Sequence, residues 1–207
     1  MSQGAGRRIF SGLWSKLRGK PAEPQTVGVS HPATVDDAVA LQAEFERGVE
    51  RHRQGQLDVA EAIYRSLLDR QPQAAEVLHS MGVLQAQRQR LEDAVVWMGR
   101  AAEADPGHVM ARVNRGNLLR ALGRREEALS SYSDALIIAP GHVDALLKHG
   151  ELLLALNRPA DAIASYDRAL TIKPGSVDVL NSRGIVLARL GRKSEALESY
   201  DLSLIHI

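Results

Sequence analysis

Residues 109–142 read VMARVNRGNLLRALGRREEALSSYSDALIIAPGH, and residues 143–176 read VDALLKHGELLLALNRPADAIASYDRALTIKPGS. The two segments place glycine, alanine, tyrosine and proline at the same positions, one 34-residue step apart. Three series of residues keep that step along the chain: Gly48, Gly82, Gly116, Gly150, Gly184; Ala60, Ala94, Ala128, Ala162, Ala196; and Pro72, Pro106, Pro140, Pro174. A chain that repeats at such a period is a stack of one supersecondary unit, and the repeat therefore decides the fold.

The step divides residues 35–207 into an array whose units are 41–74, 75–108, 109–142, 143–176 and a partial 177–207. Each unit contains two stretches with apolar residues at helical spacing. In the third unit they separate at Gly123, where glycine suits the left-handed residue that ends a helix. Gly55, Gly191 and Asn157 take the same place in other units. Gln89 takes it in the second unit, and we therefore expect that unit to turn less cleanly.

A second glycine falls inside each first helix, at Gly116 in the third unit. Glycine in a helix interior costs about 1 kcal/mol relative to alanine, so a recurring glycine needs a recurring reason. We infer that the two helices of a unit cross there too closely for a side chain, with the small Ala128 on the opposite side. Proline then ends each second helix. The tyrosines at the repeated place in the second helices are predicted to be core residues: Tyr64, Tyr132, Tyr166 and Tyr200.

These residues resemble the tetratricopeptide repeat (TPR) family, which has a small residue in the first helix and alanine plus an aromatic residue in the second. The matching residues of the third and fourth units are Gly116, Ala128, Tyr132, Ala135, Pro140 and Gly150, Ala162, Tyr166, Ala169, Pro174. The departures are Met98 for the aromatic residue, Leu67 for the second alanine, and Leu78, Arg112, Leu146 and Leu180 where the family has another aromatic residue. The resemblance covers residues 36–203 and implies an all-α fold, a right-handed superhelical solenoid of antiparallel helix pairs.

By this resemblance the first helices line a concave groove that binds a protein or peptide partner. The residues expected on that face are His79, Val83, Val113, Asn114, Asn117, Arg120, Lys148, Glu151, Asn181, Ser182 and Arg189. Asn114 and Asn117 lie one turn apart and could both hydrogen-bond an extended peptide backbone. The lysine–asparagine clamp that some relatives use for chaperone C-termini is not reproduced, because Asp144 and Asp178 stand where a lysine is wanted.

The sequence contains no motif for catalysis or cofactor binding, and we predict neither. A net charge of +1 argues against nucleic-acid binding. Cysteine is absent, and the seven histidines have no metal-ligand spacing on one helix face, so no metal site is predicted. Those histidines are His31, His52, His79, His108, His142, His149 and His206. His108 and His142 occupy the same loop position in successive units, and we expect a solvated or a helix-start role for them rather than metal ligation.

Residues 1–22 form a basic segment with an amphipathic pattern over residues 7–18, and the proline-containing residues 23–34 are interpreted as a linker. The segment could lie on an anionic membrane surface, dock in a groove, or be a solvated tail. The chain ends on Leu202–Ile207, LSLIHI, which resembles the translation of a sequencing adapter. We therefore expect the native part of the sequence to end near Asp201 and the chain to be a truncated fragment. We also expect exposed apolar side chains at an uncapped last helix.

Three functional hypotheses follow. The first is a cytoplasmic protein-interaction scaffold. The second is the substrate-recognition arm of a larger enzyme, since the repeats resemble those that precede bacterial O-linked N-acetylglucosamine transferase (SPINDLY-like) domains. Asn114 matches the groove asparagine of those arrays, although Ser80, Lys148 and Ser182 stand at the equivalent places. The third is a peripheral membrane adaptor anchored by residues 7–18.

Overall fold

A computed structural model describes residues 35–205, which form ten α-helices and no strand. The hypotheses about residues 1–22 and 23–34 concern parts of the chain outside this range. The helices are α1 Val35–Arg53, α2 Leu57–Arg70, α3 Ala75–Gln87, α4 Leu91–Ala104, α5 Val109–Ala121, α6 Arg125–Ile138, α7 Val143–Ala155, α8 Pro159–Ile172, α9 Val177–Arg189 and α10 Lys193–Ile205. Each helix packs against its neighbours in sequence, and the contacts are most extensive within a unit's pair. Within residues 35–205, no helix combines the length and the apolar character that a bilayer crossing needs.

The turn between the two helices of a unit contains one residue in the left-handed region. Gly123 has a φ of 76° there, and Asn157 has a φ of 59°. Gln89 adopts the same conformation with a φ of 62°, and the following amide of Arg90 donates to the Gln85 carbonyl at 3.0 Å. The expectation that the second unit turns less cleanly is therefore wrong. The packing of α3 on α4 imposes the turn on a residue for which it costs about 1–2 kcal/mol.

The glycine inside each first helix lies against the aromatic ring of the second helix. A Cβ atom added to Gly116 would lie 2.6 Å from Cε1 of Tyr132, and one on Gly150 would lie still closer to Cε1 of Tyr166. Both distances are shorter than a Cβ contact can be, which confirms that no side chain fits at this crossing. In the second unit a Cβ on Gly82 would meet the terminal methyl of Met98 at 2.9 Å, which is a flexible neighbour. Ala128 is fully buried, as its place on the opposite side requires.

The buried apolar side chains form two groups along the array. The first extends from Leu41 to Ala111 and the second from Val95 to Ala196, so that they meet between units 75–108 and 109–142. Tyr132 and Tyr166 are buried in the second group, as predicted. Tyr200 only packs against the edge of that group and remains half-buried, because no helix among residues 35–205 follows α10 to cover it.

The last helix leaves apolar side chains exposed, as the sequence predicts. Leu204 is 68% exposed and Ile205 is 74% exposed.

A buried carboxylate, that of Glu61, lies at the contact between α2 and α3. Glu61 is 5% exposed and receives hydrogen bonds from Gln85 and Arg88, together with an ion pair to Arg65 at 2.6 Å. The same place in units 75–108 and 143–176 holds the buried aliphatic residues Val95 and Ile163. A buried carboxylate is tolerated only when its partners are present. The first unit is therefore joined to the second through a buried carboxylate at a place where these two later units have an aliphatic side chain.

Candidate functional site

The predicted groove residues lie on four first helices. His79 and Val83 lie on α3, Val113, Asn114, Asn117 and Arg120 on α5, Lys148 and Glu151 on α7, and Asn181, Ser182 and Arg189 on α9. Val113 is wrong as a groove residue, since it is 1% exposed and packs in the second apolar group. The other ten are partly or fully accessible. Their hydrogen bonds divide most of them into small sets.

Asn114 and His79 join α5 to α3. Nδ2 of Asn114 lies 2.9 Å from Nε2 of His79. Because an amide NH₂ can only donate, Nε2 of His79 accepts this bond and the ring proton is on Nδ1. Asn114 is thereby held in one orientation, and its Oδ1 remains available as an acceptor.

Asn117 is held by the second helix of its own unit. The hydroxyl of Tyr132 donates to Oδ1 of Asn117 at 2.7 Å. The Nδ2 amide of Asn117 remains available as a donor. Asn114 and Asn117 are three residues apart on α5 and therefore lie on the same face, where they present one acceptor and one donor.

Three charged side chains form the next set, between α5 and α7. Lys148 Nζ donates to both carboxylate oxygens of Glu151 at 3.3 Å, and a guanidinium nitrogen of Arg120 lies 4.0 Å from the same carboxylate. Their side chains are 26%, 34% and 46% exposed for Lys148, Glu151 and Arg120. Exposed pairs of this kind contribute about 0–1 kcal/mol to stability, so the set orients charges rather than holding the fold.

Asn181 and Arg189 stand apart from these sets. Asn181 is half-buried and Arg189 is exposed, both on α9. Neither belongs to the hydrogen-bonded sets formed by the described residues of α5 and α7.

A further set includes two residues that the sequence analysis did not select. Glu76, His79 and His108 each offer a ligand atom, and these atoms lie within 4.8 Å of one another. The rings of His79 and His108 are 5.0 Å apart between centroids. The sequence does contain the signal: Glu76 and His79 have the i, i+3 spacing of one helix face, and His108 closes the same unit. It was missed because each histidine was considered on its own helix.

The expected helix-start role of His108 and His142 is confirmed. The Nδ1 atom of His108 accepts from the Ala111 amide at 3.4 Å, and that of His142 accepts from the Ala145 amide at 3.2 Å. Both rings therefore satisfy one of the unpaired amides that begin a helix.

Burial controls the ionisation of the groups near this face. It lowers the pKa of His79 to about 4, with a further decrease from the neighbouring His108. Burial likewise raises the pKa of Tyr132 and of Tyr166 to about 12. At neutral pH the histidine is an uncharged hydrogen-bond acceptor and the tyrosines are un-ionised.

The sequence profile of the tetratricopeptide repeat matches four overlapping stretches, residues 45–109, 98–143, 113–177 and 147–205. Together these stretches span most of the chain, which belongs to the tetratricopeptide repeat family. Its fold is the expected all-α solenoid of antiparallel helix pairs.

Solved structures of other repeat proteins share this fold. A crystal structure of MamA has 21% sequence identity and a TM-score of 0.72, covering 77% of this chain and 93% of that one. PilF of Pseudomonas aeruginosa has 20% identity and a TM-score of 0.71, covering 82% and 78%. YrrB, described as a TPR protein with an unusual peptide-binding site, has 18% identity and a TM-score of 0.68, covering 85% and 93%. These likenesses show the fold alone. The comparison with curated proteins found no match.

Proposed function

We propose that this array is a protein-interaction scaffold that binds an extended peptide, or an extended segment of a protein, along the face formed by its first helices. The observation that supports this most directly is the amide pair on α5. Asn114 and Asn117 are each fixed by one hydrogen bond and each keep a second polar atom for a ligand.

The pair suits a peptide backbone because every residue of an extended chain offers one N–H donor and one C=O acceptor. Oδ1 of Asn114 can accept from the former and Nδ2 of Asn117 can donate to the latter. Fixing a polar side chain on binding costs about 0.5–1.5 kcal/mol. Since His79 and Tyr132 already hold these two amides, most of that cost is met before the ligand arrives.

The charged set on α5 and α7 adds a preference for ligand charge. Arg120 and Lys148 share the carboxylate of Glu151, and Asp144 in the first turn of α7 is a second negative charge near Tyr132. Arg120 is the more loosely held of the two cations and the more exposed. A peptide with an acidic residue next to the segment that contacts the amide pair would pair with Arg120 and bind more tightly than one with a basic residue there.

The test is a random-peptide selection against the full chain, followed by calorimetry with the selected peptides. Asn117→Asp is the sharpest variant, because the carboxylate still accepts from Tyr132 while the NH₂ donor is lost. We expect it to weaken binding at least tenfold, since the peptide carbonyl then faces a negative charge. Asn114→Ala should weaken binding as well.

The matched control lies on the second helix of the same unit, where Ser130 and Asp134 are exposed on α6. Ser130→Ala and Asp134→Ala should leave the affinity within twofold of the parent chain. Equal affinity for the parent chain and for Asn117→Asp would contradict the proposal, and so would a selection whose peptides lose binding only with the α6 variants.

The two other hypotheses stay predictions. The comparisons do not support the link to an O-linked N-acetylglucosamine transferase, and the membrane anchor over residues 7–18 lies outside residues 35–205.

A further inference from the structure

We propose that Glu76, His79 and His108 form a binding site for a divalent transition-metal ion such as Zn²⁺, located between α3 and the first turn of α5. Glu76 and His79 lie three residues apart on α3, and His108 precedes α5. The inference does not rest on the proposed peptide binding, but the two sites share His79. Whichever ring nitrogen of His79 binds the ion, Nε2 can no longer accept from Nδ2 of Asn114, and the Asn114 amide would change its orientation.

The distances between the three side chains are within reach of one ion. Their ligand atoms lie within 4.8 Å of one another. Metal–ligand bonds of about 2.1 Å in a tetrahedral arrangement place ligand atoms about 3.4 Å apart. The Glu76 side chain is 35% exposed and can rotate towards the two imidazoles, whose ring centroids lie 5.0 Å apart. Small rotations of both rings would bring their nitrogens to the same ion while the backbones of α3 and α5 remain in place.

A second and independent observation is an unpartnered nitrogen. The His108 side chain is 8% exposed, and its Nε2 atom is buried without a hydrogen-bond partner among the described residues. The nearest carboxylate oxygen, on Glu76, is 3.8 Å away, which is beyond hydrogen-bonding distance. Buried polar atoms are almost always satisfied, and a metal ion at this point would satisfy Nε2.

Metal binding at Nε2 of His108 would change the hydrogen bonding of Nδ1, the other nitrogen of the ring. A metal on Nε2 leaves the ring proton on Nδ1, which then can no longer accept from the Ala111 amide. That hydrogen bond is long, at 3.4 Å, compared with 3.2 Å for the equivalent bond of His142. The hydrogen bond that His108 accepts at the start of α5 is therefore the weaker of the two. Losing it on metal binding costs less stability than losing the equivalent bond of His142 would.

Only the second unit has metal-ligating residues at all three of these repeat positions. The same three places hold Gln42, Phe45 and Ala74 in the first unit, Met110, Val113 and His142 in the third, and Asp144, Leu147 and Ser176 in the fourth. His142 is thus a matched control, because it begins a helix in the same way as His108 but has methionine and valine where ligands would be needed.

The ligand set also selects the kind of ion. Two imidazoles and one carboxylate favour zinc, nickel or copper over magnesium and calcium, which prefer oxygen ligands. Three protein ligands leave one tetrahedral position for water or for a side chain of a bound partner.

The experiment is a calorimetric titration of the full chain with zinc chloride after removal of metal by a chelator. The variants are Glu76→Gln, which keeps the side-chain shape, and His108→Asn, which removes the imidazole but supplies another good helix-start residue. His142→Asn is the control. Circular dichroism establishes that each variant keeps its helix content.

We expect one zinc ion per chain for the parent protein and for His142→Asn with the same affinity. Glu76→Gln and His108→Asn should each weaken zinc binding at least tenfold, and magnesium chloride should give no heat of binding. Cobalt(II) should show the intense visible absorption of a tetrahedral site in the parent chain and lose it in His108→Asn. The proposal is overturned if the parent chain binds no zinc, if His108→Asn binds it as tightly as the parent, or if His142→Asn loses as much affinity as His108→Asn.

Discussion

Units 75–108 and 109–142 follow the same backbone path with different side chains at the places that define the repeat. The second unit has Gln89, Met98 and Gly99 where the third has Gly123, Tyr132 and Ser133. The turn, the helix crossing and the closing loop nevertheless have the same form in both. The packing of neighbouring units therefore determines the backbone conformation. A residue that departs from the repeat either lowers the stability of its own unit or gives that unit side-chain contacts that the others lack.

The departures are concentrated where the two apolar groups meet. This boundary contains Arg115, whose buried Nε atom has no hydrogen-bond partner among the described residues, and the Glu76–His79–His108 set.

The largest effect is expected at the helix crossing. Gly116→Ala places a methyl group 2.6 Å from the Tyr132 ring, and overpacking of this kind should lower the free energy of unfolding by about 1–3 kcal/mol. Gly82→Ala meets only the flexible end of Met98, and the gain in helix propensity of about 1 kcal/mol should largely offset the contact. Urea unfolding followed by circular dichroism measures the difference.

A rescue variant sharpens this comparison. Combining Gly116→Ala with Tyr132→Met reproduces the second unit's pair in the third unit, and should recover at least half of the loss caused by Gly116→Ala. If Gly82→Ala and Gly116→Ala were equally destabilising, the explanation of the repeated glycine by the ring would be wrong.

The next effect is a pH dependence specific to the second unit. The pKa of His79 is about 4 in the folded chain, and that of an unfolded histidine is about 6.5. Between these values the unfolded chain binds a proton at His79 that the folded chain does not, so the free energy of unfolding falls as the pH falls from 7 to 4. Because His79 is partly exposed, we expect a contribution of roughly 1–2 kcal/mol.

His79→Asn removes this titration, with Glu76 and His108 as the titratable groups that remain around the site. Unfolding in a chelator-containing buffer at pH 4.5 and 7 should show a smaller difference for the variant than for the parent chain. An identical difference in both proteins would show that His79 is not protected from protonation.

A substitution at Gly99 should raise the free energy of unfolding, by an amount similar to or smaller than the contribution of His79. Asp167 receives a hydrogen bond from Nε of Arg183 at 2.6 Å, and Gly99 occupies the same place relative to Arg115. A Cβ atom on Gly99 would lie 3.9 Å from Arg115 Nε, so there is room. Gly99→Asp should raise the free energy of unfolding by about 1–2 kcal/mol, because it gives a partner to a buried donor.

The control is Gly99→Ala, which gains helix propensity without a partner for Arg115. Aspartate is the poorer helix former, so a greater stability for Gly99→Asp than for Gly99→Ala isolates the new ion pair. Equal midpoints in thermal unfolding would contradict this account of the boundary.

The smallest effect is expected at the turn. Gln89→Gly relieves a left-handed residue with a φ of 62° and should stabilise the chain by about 0.5–1 kcal/mol. The reciprocal change Gly123→Gln should cost about the same. Asn157→Gly should change little, since asparagine tolerates this conformation. A destabilising Gln89→Gly would mean that the glutamine side chain contributes more than the strained backbone costs.

Much of the fold could be predicted because the repeated residues act through short-range sterics. Gly116 and Ala128 predicted the helix crossing, and Gly123 predicted the turn. Gln89 led to a wrong expectation about the turn of the second unit. The conformational preference of glutamine concerns a single residue, whereas the packing of two helices imposes the turn. Val113 was assigned to the groove from its place on the first helix, but its side chain faces the core.

The candidate site was predictable only in part. A repeat identifies which helices form a face, and it led to Asn114 and Asn117. It does not show that His79 and Tyr132 hold them, because those contacts join positions 35 and 15 residues apart. The meeting of Glu76 and His108 is likewise a product of tertiary packing, and only a comparison of equivalent places across units would have suggested it.

The proposed function requires that Asn114 and Asn117 on α5 contact the backbone of a bound peptide. The most direct measurement is an NMR titration of the isotope-labelled chain with a selected peptide, following the side-chain NH₂ signals of Asn114 and Asn117. The Asn117 NH₂ signals should shift in proportion to binding, together with backbone amides of α5 and α7. Saturated binding with both side-chain signals unmoved, and with shifts confined to α6 and α8, would contradict it.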